Sequence, residues 1–106
     1  RGIAVDSLGN VYTSNETSQN ITKITPLGVS TIFATTGNQP YGITVDSAGN
    51  VYVANGLDNN VFKITPSGVS TILGTTGNTP YSITCDLFGN VYTANYTSFN
   101  VTKLIT

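Results

Sequence analysis

Residues 41–80 read YGITVDSAGNVYVANGLDNNVFKITPSGVSTILGTTGNTP, and the residues on either side copy them. Laid on this stretch, residues 1–40 match at about 25 of 40 positions, and residues 81–106 begin a third copy, the pattern of one supersecondary unit repeated along a chain. Within the stretch, Gly42–Asp46, Asn50–Asn55, Asn60–Thr65 and Val69–Thr75 are short runs rich in Val, Ile, Tyr and Thr, with no helical period. They read as four β-strands. The first copy gives Gly2–Asp6, Asn10–Asn15, Asn20–Thr25 and Val29–Thr35; the third gives Ser82–Asp86, Asn90–Asn95 and Asn100–Ile105, without a fourth run.

Turn chemistry separates the runs. Asp6 with Gly9, Asp46 with Gly49 and Asp86 with Gly89 bracket the first turn of each copy, the aspartate placed to accept backbone amides ahead of it and the glycine to take a positive φ. Pro26-Leu27-Gly28 and Pro66-Ser67-Gly68 mark a second reversal later in the unit. Four antiparallel strands every 40 residues, with no helix to cover a sheet, must bury both sheet faces against like neighbours, and blades fanned about an axis do this. The predicted fold is therefore all-β: a β-propeller segment of four-stranded antiparallel blades, about two and two-thirds blades of an incomplete ring. Blade 1 is residues 1–40, blade 2 is 41–80, and 81–106 form an incomplete blade 3, all within one propeller domain.

The repeated core GIAVDSLGNVYTSN, GITVDSAGNVYVAN and SITCDLFGNVYTAN, followed by NITKITPLGVSTI and NVFKITPSGVSTI, resembles the NHL-repeat family of β-propellers. It is also similar to the six-bladed sugar-lactonase-type propellers related to that family. One departure is local: many NHL repeats carry an arginine just after the asparagine that opens the third strand, where this chain has Ile21, Val61 and Val101. No role of that arginine carries over. The resemblance implies a closed ring larger than this chain supplies, so the expected partners are the remaining blades of a longer chain or further copies of this one.

Composition narrows the functional classes. Charged residues make up 8% of the chain, against about 25% in ordinary domains. A polar but uncharged surface of this kind suits secreted and surface-displayed β proteins, and an extracellular or cell-surface location is expected. With a net charge of −1 and only Arg1, Lys23, Lys63 and Lys103 as cations, the chain has no electrostatic footprint for nucleic acid. No apolar run is long enough to span a membrane. The single cysteine, Cys85, takes the place of Val5 and Val45 and reads as a small buried hydrophobe.

Chemistry has little to work with. There is no histidine, so no histidine-based triad exists, and no cofactor or metal is expected. Asp6, Asp46 and Asp86 recur at the repeat period as turn residues rather than as ligands. Lys23, Lys63 and Lys103 recur in the third strand, where long stems lie along a sheet. The candidate binding rim is instead the variable loop between strands two and three together with the linkers between blades, taken as residues 35–42 and 75–82. It comprises Glu16, Gln19, Gln39, Tyr41, Asp58, Asn59, Tyr81, Tyr96 and Phe99. Exposed aromatics there can stack on sugars or anchor a protein partner. Asn15, Asn20, Asn95 and Asn100 open Asn-X-Thr triplets and are candidate N-glycosylation acceptors, no more numerous than chance supplies in so Asn- and Thr-rich a chain.

Two functions follow as expectations. The first is a non-enzymatic scaffold or interaction module of a secreted or surface protein, holding a protein or glycan through the rim. The second is a fragment of a metal-dependent lactonase-like or lyase-like propeller enzyme whose catalytic residues lie in other blades.

Overall fold

The computed structural model describes residues 1–106 and contains eleven strands and no helix. β1 (Ile3–Val5), β2 (Val11–Asn15), β3 (Asn20–Ile24) and β4 (Ser30–Thr35) form one antiparallel sheet in chain order. β5 (Pro40–Val45), β6 (Val51–Asn55), β7 (Asn60–Ile64) and β8 (Ser70–Thr75) form the second, and β9 (Pro80–Cys85), β10 (Val91–Asn95) and β11 (Asn100–Leu104) the third. This is the all-β, incomplete propeller expected from the repeat. β1 and β2 are shorter than their sequence runs because Asp6 and Asn10 belong to the turn between them, and Asp46, Asn50, Asp86 and Asn90 lie outside the strands in the same way.

Register repeats from sheet to sheet. Tyr12 pairs with Ala4 and Lys23, Tyr52 with Thr44 and Lys63, and Tyr92 with Thr84 and Lys103. A constant register presents the same residues to the next sheet each time, so one packing solution serves twice. Tyr12, Ile21 and Ala34 of the first sheet meet Ile43, Val51, Val53 and Ile64 of the second in one buried cluster. Tyr52 and Val61 of the second meet Val91 of the third, with Ile83, Cys85 and Leu104 partly buried around them. Each fully buried valine or isoleucine contributes about 2 kcal/mol relative to exposure. Only the middle sheet is covered on both faces, and all five residues of β6 are buried.

The first strands approach one another closely. A Cβ on Gly2 would lie 2.7 Å from the Tyr41 carbonyl oxygen, so a bare backbone is required there. Ser14 bridges the same seam: its Oγ accepts from the Gly2 amide at 2.8 Å and donates to the Tyr41 carbonyl at 2.9 Å.

One boundary differs from the sequence reading. β5 and β9 begin at Pro40 and Pro80, so Tyr41 and Tyr81 lie inside strands rather than in linkers. Proline is tolerated as the first residue of a strand because its missing N–H costs nothing there. A bulge between Pro40 and Ile43 then re-aims the chain.

Candidate functional site

The blades have two chemically different edges. At one edge lie the β1–β2 turn and its counterparts. Asp6 Oδ1 accepts the amides of Leu8 at 3.0 Å and Asn10 at 2.9 Å, while Oδ2 accepts the Asn10 side chain at 2.9 Å and the Tyr12 hydroxyl at 3.0 Å. Asp46 and Asp86 repeat the clasp, with Tyr52 and Tyr92 donating at 2.9 Å. Gly9, Gly49 and Gly89 close the turns at φ of 88°, 88° and 85°. Burial pulls the Asp6 and Asp46 carboxyls upward, but the hydrogen bonds from Asn10 and Asn50, the two tyrosines and the turn amides outweigh it and hold both below the ordinary carboxylate range. Asp86 is lowered in the same way, the Tyr92 hydroxyl leading the hydrogen bonds that oppose desolvation. Burial and the neighbouring carboxylate push the Tyr12 phenol up to about 12, and Tyr52 still higher.

At the opposite edge, the β2–β3 turns interlock with the linkers. The Thr36 amide donates to the Gln19 carbonyl at 3.0 Å and the Thr76 amide to that of Asn59 at 2.9 Å. From the following blade, the Gly56 amide donates to the Gln39 carbonyl and the Tyr96 amide to the Thr79 carbonyl, both at 2.8 Å. Each turn ends on a left-handed residue, Gln19, Asn59 and Phe99 all having φ of 56°; the linkers carry Gln39 and Thr79 at 53° and 56°. Four-residue hairpin loops built on a type I turn use such a residue, and asparagine suits it better than glutamine or phenylalanine.

The rim candidates separate into three groups. Asp58 is tied into the linker: Oδ2 accepts the Asn38 amide at 2.8 Å and Oδ1 the Asn38 side chain at 3.0 Å. Asn59 crosses to the next linker, its Oδ1 accepting the Thr79 amide at 2.8 Å. The structure gathers Glu16, Gln39, Tyr41, Tyr81 and Tyr96 near the inner end of the blades. Tyr41 donates its hydroxyl to Gln39 Oε1 at 2.6 Å and its ring centroid lies 4.9 Å from that of Tyr81, which lies 5.6 Å from that of Tyr96. Gln19 and Phe99 point outward, Phe99 being 92% exposed.

Arg1, absent from the sequence-based candidates, joins this group. Its Nη1 donates to Glu16 Oε1 at 2.8 Å and its Nη2 to the Tyr81 hydroxyl. Its position in the repeat, where the other copies carry tyrosine, was the available signal. Leu87 and Phe88 were also missed. They are the most exposed apolar pair, at 95% and 87%, on the Asp86 turn at the other edge. There the sequence departs from Ser7-Leu8 and Ser47-Ala48.

Tyr81, Tyr96, Phe99, Ala94 and Val101 line a hollow on the open face of the third sheet. Ser14 and Ile21 of the first sheet, and Ala54 and Val61 of the second, hold the same repeat positions as Ala94 and Val101 and are fully buried. The hollow is thus continuous with a blade-packing surface. Among the asparagines, Asn15 and Asn95 donate their side-chain amides to Asn20 and Asn100 and to Thr22 and Thr102. A glycan at either would take one of the two amide hydrogens these bonds use; Asn100 is the exposed member, whereas Asn20 is half-buried. No three of the carboxylates and the thiol come together as a metal-ligand set. Lys23 lies 5.5 Å from the Phe33 ring centroid and Lys103 5.7 Å from that of Tyr92, the stems running along the sheets.

A family model described as a beta-propeller repeat (SBBP) matches residues 29–54, from the start of β4 into β6. No curated protein matches the chain in sequence. Among solved structures, selenomethionine-substituted virginiamycin B lyase from Staphylococcus aureus superposes with a TM-score of 0.84 at 20% identity, covering 98% of this chain and 37% of that one. A nidogen/laminin complex gives 0.82 at 21% identity, covering 96% and 41%. Regucalcin, a calcium-binding protein from Agrobacterium tumefaciens, gives 0.80 at 14%, covering 98% and 44%. Together with the three fanned sheets, these likenesses define the fold as that of a β-propeller. The chain spans less than half the length of each of the three.

Proposed function

We propose that this chain is part of a non-enzymatic β-propeller that serves as an interaction module of an extracellular or cell-surface protein and holds a protein or glycan at its rim. The observation that carries the reading is the construction of the rim. Its backbone is pinned by amide–carbonyl bonds at both linkers, while the side chains it displays change from blade to blade. A rigid frame with variable, partly aromatic side chains is what a recognition surface requires. The similarity to a nidogen/laminin complex supports a protein ligand. The sheet faces left open on the first and third blades support further blades, of a longer chain or of other copies, as neighbours, because Ile3, Val5 and Val101 are exposed there.

Immobilising the chain on arrays of glycans and ectodomain proteins tests the reading. Tyr81→Ala and Phe99→Ala are expected to weaken capture of any ligand found by about tenfold each, the effect of losing an aromatic anchor. Capture untouched by both substitutions would overturn it.

The structural likeness to a lyase and to a calcium-binding protein favours a second reading, a piece of a metal-dependent lactonase-like or lyase-like enzyme. Stoichiometric metal in the longer protein, with turnover abolished by chelation, distinguishes that reading from the first.

A further inference from the structure

Arg1 does more than fill the slot occupied by tyrosine in the other blades. Its guanidinium carbon lies 4.8 Å from the Tyr41 ring centroid and 4.7 Å from that of Tyr81, and the two rings are inclined at 56° with centroids 4.9 Å apart. The cation therefore sits in a wedge of two aromatic rings, within the range where ring quadrupoles attract it. Glu16 supplies a carboxylate at one side and the Tyr81 hydroxyl an acceptor at the other.

The wedge is built from contacts that do not involve Arg1. Tyr41 lies over Gly56, where an added Cβ would fall 2.2 Å from its Cε2, and its hydroxyl is anchored on Gln39. Tyr81 leans on Tyr96. Of the contacts that hold Arg1, the ion pair is exposed, the Arg1 and Glu16 side chains at 45% and 36%, and exposed ion pairs hold weakly; the two rings and the Tyr81 hydroxyl hold the guanidinium beside it.

We propose that the Tyr41–Tyr81 wedge, with Glu16, is a binding site for the guanidinium of an arginine side chain on a partner protein, and that Arg1 occupies it in cis. The site deepens the rim-binding reading and rests on it. Arginine fits better than lysine because its flat, weakly hydrated group fills the wedge within reach of both rings while donating in a fork to the carboxylate and the phenol. The chain is acidic, with a net charge of −1, and offers no competing cationic patch around the wedge.

The test uses the full chain with Arg1→Ala and the probe N-acetyl-arginine methylamide, read by the NMR shifts of the Tyr41 and Tyr81 ring protons at low salt. The emptied wedge is expected to bind the probe about tenfold more tightly than the unsubstituted chain does, with both rings shifted. The neutral citrulline analogue is expected to shift neither ring. In the Arg1→Ala background, Tyr81→Leu is expected to abolish the response and Glu16→Gln to weaken it severalfold. Backbone amide spectra establish that each variant is folded. An unshifted Tyr41–Tyr81 pair in the folded Arg1→Ala chain would overturn the proposal, as would equal shifts from citrulline or full binding by the Tyr81→Leu variant. If the probe fails while Tyr81→Ala still weakens capture of an array ligand, the cation site falls and the rim stands.

Discussion

The two edges of the blades solve the same problem, closing a hairpin and holding it beside its neighbour, by opposite means. At the clasp edge, side chains satisfy the backbone: one aspartate takes two turn amides, an asparagine and a tyrosine, and the set recurs unchanged in all three blades. At the rim, amide–carbonyl bonds share the task with side chains such as Asp58 and Asn59, and none of these bonds uses the side chain at position 16 of the repeat, which is Glu16, Gly56 or Tyr96. Each choice is matched by the residue that opens the blade: Arg1 with Glu16, Tyr41 over Gly56, Tyr81 against Tyr96. Repetition in sequence therefore marks where side chains carry the fold. Variation marks where different side chains serve in different blades, as Asp58 and Ser98 each accept the amide of their own linker.

Substitution at the clasp should have the largest effect. Asp46→Ala strips the acceptor from two amides, Asn50 and the buried Tyr52 hydroxyl, and is expected to lower unfolding free energy by about 3 kcal/mol in urea titrations. A loss under 1 kcal/mol would mean that water replaces the clasp. At the rim, Gly56→Ala forces Tyr41 aside and is expected to cost about 1.5 kcal/mol. Its Tyr41 ring protons should move while those of Tyr52 stay put.

Titration probes the clasp without mutation. The three aspartates have folded-state pKa values below the ordinary 3.8, so the stability they supply is present above that value and is lost as pH falls below it. Tyr12 moves the other way, from 10.0 to about 12, so its contribution is complete below pH 10 and disappears as pH rises toward 12. Unfolding monitored by circular dichroism should thus show a plateau between pH 4 and 10 with a loss on each side. Asp46→Asn should make the acid limb shallower, with Asp6 and Asp86 still contributing to it. The smallest effect is expected at the rim turn: Phe99→Gly relieves a left-handed residue and should raise stability by about 0.5 kcal/mol.

The fold was legible because its causes are local. Asp-x-x-Gly-Asn turns, β-branched runs and a fixed period define strands, hairpins and the need for like neighbours. The site was less legible because its causes are distant in the chain. Asp58 and Glu16 look like free acids until Asn38 and Arg1 arrive from 20 and 15 residues away. The early start of β5 and β9 was hidden because Gln39 and Thr79 adopt a left-handed backbone without the glycine or asparagine that would announce it.

The complete burial of β6 sets the order in which the molecule comes apart. Each sheet exchanges stabilisation only with the one beside it, so among these three sheets the ones covered on a single face open before the one covered on both. Amide exchange should therefore be slowest from Val51 to Asn55 and quicken outward in both directions, making the middle blade the part of the molecule that survives its own fluctuations.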